Sequence, residues 1–127
     1  MIQQQNTYQF LDDLESVLSW IYLKAFEEGK NPEIFEEEFK IEFVSLVKRI
    51  MENPLLYPTY SEVNPVRRAV FYHGNYILEY HLIPFKVKNR NDVKKVTFSA
   101  LLPARSEKYF GAHEELVFKE LNMDEED

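Results

Sequence analysis

The chain has 127 residues, no cysteine, 45% hydrophobic and 29% charged residues, and a formal net charge of −7. That is one domain's worth of polypeptide with enough apolar material for a core, which excludes a disordered or fibrous protein, a disulfide scaffold, a cysteine-ligated metal and a thiol nucleophile. The charge is unevenly spread: residues 1–60 carry a net −6, residues 61–110 a net +5 and residues 111–127 a net −6, so a compact fold is expected to present one positive face. The opening MIQQQNTYQF has neither the basic nor the apolar region of a secretion signal, and no apolar run reaches the roughly 18 residues of a spanning helix. A cytoplasmic protein that does not enter a membrane is the expectation.

From Asn6 and Thr7, both N-cap residue types, apolar side chains recur at Phe10, Leu14, Val17, Ile21 and Ala25, the spacing of an amphipathic helix that ends at Gly29. Asn31-Pro32 supplies the cap and first turn of a second helix, whose stripe is Phe35, Phe39, Phe43, Leu46, Val47 and Ile50 and which stops at Asn53-Pro54. Two such helices joined by so short a loop lie antiparallel, and their apolar faces require a further layer. Residues 55–65 hold two prolines and no period, and predict a connecting loop. The segments 66–72, 76–83 and 93–102 are rich in Val, Ile, Tyr, Phe and Thr, with turns at His73-Gly74-Asn75 and Asn89–Asp92, and predict a three-stranded antiparallel meander. Residues 106–121 are weakly helical around Gly111, with Phe110, Leu116, Val117 and Leu121 as anchors. The expected fold is α+β: an N-terminal antiparallel helical hairpin packed on a three- to four-stranded antiparallel sheet, with a short C-terminal helix. It forms a single domain over 1–122, followed by a disordered acidic tail over 123–127.

The order of these elements, together with Leu11-Asp12-Asp13-Leu14-Glu15, Pro54, Val66-Arg67-Arg68-Ala69-Val70, Gly74-Asn75-Tyr76-Ile77-Leu78-Glu79-Tyr80 and Val96 through Arg105, resembles the RelE/ParE superfamily of bacterial type II toxin–antitoxin toxins. Members show a helical hairpin, an Arg before the first hairpin strand, a Gly-(Asn/Pro)-Tyr strand and a last strand ending near an Arg. They usually begin with a strand directly before the first helix. Only Met1 to Asn6 is available for that strand here, and three consecutive glutamines make a poor buried one. Residues 85–92 lengthen the second hairpin, and the chain is acidic where such toxins are commonly basic.

The resemblance implies a toxin that inhibits growth by acting on gyrase or on translation, that stabilises a plasmid and that pairs with a cognate antitoxin. In its ribosome-dependent ribonuclease branch it implies that Arg67, Arg68 and Arg105 hold the scissile phosphate of messenger RNA. Such metal-independent cleavage requires a phosphate clamp, a proton acceptor and a leaving-group acid, and the planar fork of Arg suits the clamp. Arg67 and Arg68 are adjacent on a strand and point to opposite faces, so at most one shares a site with Arg105. Glu79 and His81, two apart on a strand, are candidates for acid–base work near neutral pH, and Tyr109 offers a phenol near Arg105. Lys86, Lys88, Arg90, Lys94 and Lys95 flank the second hairpin turn as the densest basic run, suited to an RNA backbone, to an acidic partner segment or simply to a solvated edge. His73, His81 and His113 have no paired metal spacing, and no cofactor motif is present, so neither metal nor cofactor is expected. A gyrase-directed toxin would act through a surface and not need the catalytic set. The alternative from another class is a non-toxic interaction module or degenerate relative whose acidic segment from Gly111 onward shields its own basic sheet. A homodimer is a further expectation, as is a partner helix or strand on the apolar helical hairpin.

Overall fold

The computed structural model describes residues 1–104. In chain order it comprises β1 (Gln3–Asn6), α1 (Tyr8–Glu27), α2 (Pro32–Glu52), β2 (Arg67–Phe71), β3 (Tyr76–Ile83), a 3₁₀ turn at Arg90–Asp92 and β4 (Lys95–Pro103). Both helices start where their caps predict. The Thr7 hydroxyl accepts from the Phe10 N–H and the Asn31 side chain accepts from the Glu33 N–H, each satisfying one of the amides that an α-helix leaves open at its N-terminus. Gly29 takes φ +71 just beyond α1, and Pro32 opens α2.

The sheet runs in the order β1-β4-β3-β2. The meander β2-β3-β4 is antiparallel as expected, but the sheet as a whole is mixed: β1 pairs with β4 in parallel, from Gln3 opposite Lys95 to Asn6 opposite Phe98. This corrects the all-antiparallel expectation. The three glutamines do form a strand, and all four residues of β1 are exposed, so a sequence unfit for a buried strand serves as a solvated edge. The expected helix over 106–121 and the tail over 123–127 lie outside the described residues.

The helices cover one face of the sheet. Phe10, Val17 and Ile21 of α1 and Phe39, Leu46 and Ile50 of α2 bury against Ala69, Phe71, Tyr76, Leu78, Tyr80, Leu82, Val96, Phe98 and Leu101. Each fully buried large side chain of this set contributes about 1.5–3 kcal/mol of transfer free energy. Aromatic rings tie the layers together: Phe39 lies 5.6 Å from Phe71 and 5.4 Å from Tyr76, and Phe10 bridges Phe43 at 6.0 Å and Phe98 at 5.9 Å. Tyr80, at the centre of β3, is wholly buried, and its hydroxyl donates to the Pro54 carbonyl at 2.9 Å, fixing the loop after α2. Burial pushes that phenol up to about 12.

The β3–β4 ladder carries a bulge. Glu79 stands opposite Ala100 and Tyr80 opposite Phe98, leaving Ser99 as the extra residue. It shifts the alternation of β4 by one, so that Val96 and Phe98 before it and Leu101 after it all face the helices. Helix α1 is fastened there. The Thr7 N–H donates to the Phe98 carbonyl at 3.0 Å and the Thr7 hydroxyl to the Ser99 carbonyl at 3.2 Å. The Asp13 carboxylate accepts from the Leu101 N–H at 3.0 Å. Removing that acceptor with Asp13→Ala is expected to cost about 1.5–3 kcal/mol, the range for a hydrogen bond to a charged group. Asp13→Asn, which keeps a carbonyl oxygen, is expected to lose less. Urea denaturation of the three chains measures the order, and equal stability of Asp13→Ala and the parent would show the contact to be dispensable.

Candidate functional site

Strand alternation gives the sheet a second face, opposite the helices. The pairing registers lay out its residues in rows across the strands: Leu102, Ile77 and Val70; then Ala100, Glu79 and Arg68; then Gln5, Thr97 and His81; and last Gln3, Lys95 and Ile83. Four of the candidate residues, Arg68, Glu79, His81 and Lys95, therefore share this face. Arg67 points the other way. Its guanidinium donates to the Tyr57 carbonyl, and its backbone bridges to Thr59, so it holds the 53–66 loop against the edge of β2.

Arg68 and Glu79 form an ion pair, Nε to Oε2 at 3.2 Å, with both side chains mostly shielded from water. The Tyr60 ring lies 4.2 Å from the Arg68 guanidinium, a cation–π contact that the sequence gives no means of assigning, because it joins a loop residue to a strand. The Arg68 guanidinium is thus engaged by both a carboxylate and an aromatic ring.

His81 sits one row along, with the Phe85 ring edge-on at 5.5 Å. Burial lowers its imidazole below the ordinary 6.5, which favours the neutral ring near pH 7, able to accept a proton. Opposite it stands Thr97, only 4% exposed, whose hydroxyl has no hydrogen-bond partner among the described residues. A buried, unsatisfied hydroxyl is rare. Thr97 reads in the sequence as one β-former among several, and only the register of β3 against β4 brings it beside His81. Ile77 and Leu102 on this face are also nearly inaccessible, at 6% and 9%.

The basic run does not join the face as a unit. Lys86, Lys88 and Arg90 are exposed in the connection between β3 and β4, Lys94 is exposed just before β4, and Lys95 alone lies in the rows above. Arg105 and Tyr109 lie outside the described residues. Among the described residues, no group of three or more His, Asp or Glu side chains is placed to hold a metal ion, and no helix is long and apolar enough to cross a membrane.

A concavity of about 240 Å³ lies between the helical hairpin loop and the β2–β3 turn, lined among others by Trp20, Lys24, Phe35, Tyr72 and Tyr76. Its rim is strained. Tyr72 and His73 take φ 53 and 57 ahead of Gly74 at 78, so two side-chain-bearing residues occupy the left-handed region. The sequence marks a turn there but not its hand. Tyr72 is held by its edge-on contact with Phe39 at 5.5 Å, and its phenol is raised by burial and by Glu38 and Glu42.

The lowered His81 imidazole has a consequence for stability. Below pH 6.5 the unfolded chain binds the proton that the folded chain resists, so this residue makes stability fall as pH falls through that range. Replacing it with His81→Gln removes the linkage. Melting temperatures of parent and variant, followed from pH 7.5 to pH 5 or so, are expected to converge or cross as the pH drops. A constant difference between them would mean that His81 titrates alike in both states.

No protein-family model matches the chain, and no curated protein is significantly similar to it in sequence.

Proposed function

We propose that the chain is the toxin component of a bacterial type II toxin–antitoxin module, RelE/ParE-like, which inhibits growth by acting on gyrase or on translation and is held inactive by a cognate antitoxin. The observation that carries this reading is the order of elements. A strand, Gln3–Asn6, lies directly before the first helix and is followed by the helical hairpin and the strands that bear Arg67, Arg68 and the Gly74-Asn75-Tyr76 turn.

Of the two mechanisms, action through a binding surface has more support than RNA cleavage. A ribonuclease needs free cationic groups converging on a phosphate, with a proton acceptor within about 3 Å. Arg67 is spent on the Tyr57 carbonyl and Arg68 on Glu79 and the Tyr60 ring. Cleavage of ribosome-bound messenger RNA would fall to Arg105, with His81, Glu79 or Tyr109 as proton carriers. Tightly induced expression in a bacterial host tests both levels. The parent is expected to arrest growth. His81→Ala is expected to arrest it equally under the surface mechanism and to be harmless under a ribonuclease mechanism in which His81 carries the proton, with Arg105→Ala as the control for the residue the resemblance singles out. Absence of arrest at confirmed soluble expression would remove the toxin reading.

A second reading, a non-toxic interaction module or degenerate relative with a self-shielded sheet, is favoured by one observation: Ile77, Thr97 and Leu102 are nearly inaccessible on the face that neither helix covers. The segment over 111–127, net −6, has the charge to oppose Arg68 and Lys95. On this reading, neutralising Glu114, Glu115 and Glu120 to Gln in the full chain raises its affinity for single-stranded RNA at low salt. Unchanged affinity would count against shielding.

A further inference from the structure

The hollow of about 240 Å³ beside the β2–β3 turn is walled by aromatic rings from three separate parts of the chain: Trp20 of α1, Phe35 of α2 and Tyr72 of the turn. Its floor is apolar, with Ile21 8% and Tyr76 4% exposed. Sites for drug-sized ligands occupy roughly 300–1,000 Å³, so this one takes a smaller molecule, a single ring with short substituents. Aromatic walls favour a flat ring, which gains by offset-stacked or edge-on contact with them.

The turn that supplies one wall is held in a costly conformation. Tyr72, His73 and Gly74 take φ 53, 57 and 78 in succession, and the Asn75 N–H closes the turn by donating to the Tyr72 carbonyl at 3.1 Å. Only the glycine enters the left-handed region without penalty. In this conformation the Tyr72 ring lies 5.5 Å from Phe39 and 6.1 Å from Tyr76, and so becomes part of the hollow instead of a solvated turn residue. Backbone strain of this kind gathers at ligand clamps.

Four Lys and Glu side chains complete the lining, and they are not equivalent. Lys30 and Glu28 pair with each other at 3.3 Å. Lys24 on α1 and Glu38 on α2 have no ion-pair partner among the described residues. The Lys24 ammonium rests 5.8 Å from the Trp20 ring, and Glu38 is close enough to Tyr72 to join burial in raising its phenol. The hollow therefore offers one spare cation and one spare carboxylate, on different helices and each beside a ring. A ligand with a single charge leaves one of the two unanswered, whereas a zwitterion answers both.

We propose that this hollow is a binding site for a free aromatic α-amino acid, with its ring among Trp20, Phe35 and Tyr72, its carboxylate on Lys24 and its ammonium on Glu38. The site does not depend on the toxin reading, and binding alone tests it.

Trp20 is the chain's only tryptophan, so its fluorescence reports occupancy directly. L-Phenylalanine is titrated into the full-length chain and followed by that fluorescence and by calorimetry, beside three analogues that each lack one feature. These are 3-phenylpropionate without the ammonium, phenethylamine without the carboxylate and L-leucine without the ring. Phenylalanine is expected to bind at one site, about tenfold or more tighter than any of the three. Lys24→Gln and Glu38→Gln, which keep a polar side chain on each helix, are each expected to weaken phenylalanine by about tenfold with unchanged melting. Lys24→Gln leaves phenethylamine, which has no carboxylate for it, as it was, and Glu38→Gln likewise leaves 3-phenylpropionate. No saturable binding at millimolar concentration, an analogue binding as tightly as phenylalanine, or insensitivity of phenylalanine to either substitution would overturn the proposal. So would an equal loss of phenethylamine in Lys24→Gln, since Lys24 would then not be reading the carboxylate.

Discussion

Everything on the sheet's two faces depends on the single extra residue in β4. Were Ser99 paired in the ladder instead of bulged out of it, the strand would keep strict alternation, and Leu101 would pass from the core to the opposite face while Ala100 took its place against the helices. A bulge leaves ladder groups unpaired, and here α1 answers them: the Ser99 carbonyl accepts from Thr7 and the Leu101 amide donates to Asp13, while the Ser99 hydroxyl donates to the Glu79 carbonyl at 3.3 Å. Thr7 does double work, since the same hydroxyl that reaches Ser99 also caps the helix. The irregularity in the sheet is therefore also the point at which the helical layer is set in position.

That positioning separates two kinds of arginine chemistry within two adjacent residues. Arg67 turns toward the helical side and becomes part of the scaffold, bracing the loop that Tyr80 also holds from beneath through Pro54. Arg68 turns to the other face, where Glu79 and Tyr60 hold it. Neither is a loose cation awaiting a phosphate. The chemistry left on the face belongs to His81, whose imidazole is shifted by burial toward the neutral form, and to the hydroxyl of Thr97 across from it, unsatisfied among the described residues. A neutral imidazole and a hydroxyl side by side accept and donate hydrogen bonds, a pairing suited to recognition as much as to proton transfer.

Helix boundaries were legible in the sequence because each is written in local chemistry: Thr7 and Asn31 as caps, Pro32 at the first turn, Gly29 and Asn53 at the ends. The meander was legible for the same reason. The parallel partnership of β1 was not, because nothing local in Gln3-Gln4-Gln5-Asn6 distinguishes a solvated edge strand from coil; its register comes from Thr7 binding β4 some ninety residues away. The bulge left only a faint trace, a pair of small residues, Ser99-Ala100, between apolar positions whose spacing changes from two to three. Of the candidate site, the shared face of Glu79 and His81 and the opposed directions of Arg67 and Arg68 followed from strand alternation. The Tyr60 and Thr97 contacts depend on tertiary register and could not be read in advance. The basic run was visible as composition, but its division between an exposed connection and one strand position was not.

The placement of β1 beside β4 also sets the order in which the chain can assemble during synthesis. The partners of Thr7 and Asp13 lie 92 and 88 residues downstream. The helical hairpin closes through contacts a few tens of residues apart and can form early, but its anchorage and the first strand must wait until β4 has emerged. Closing so long a loop costs little more entropy than closing a shorter one, yet it comes late in time. Until then the apolar inner faces of α1 and α2 have only each other for cover, so the nascent hairpin is the form of this protein most exposed to chaperones and to premature association.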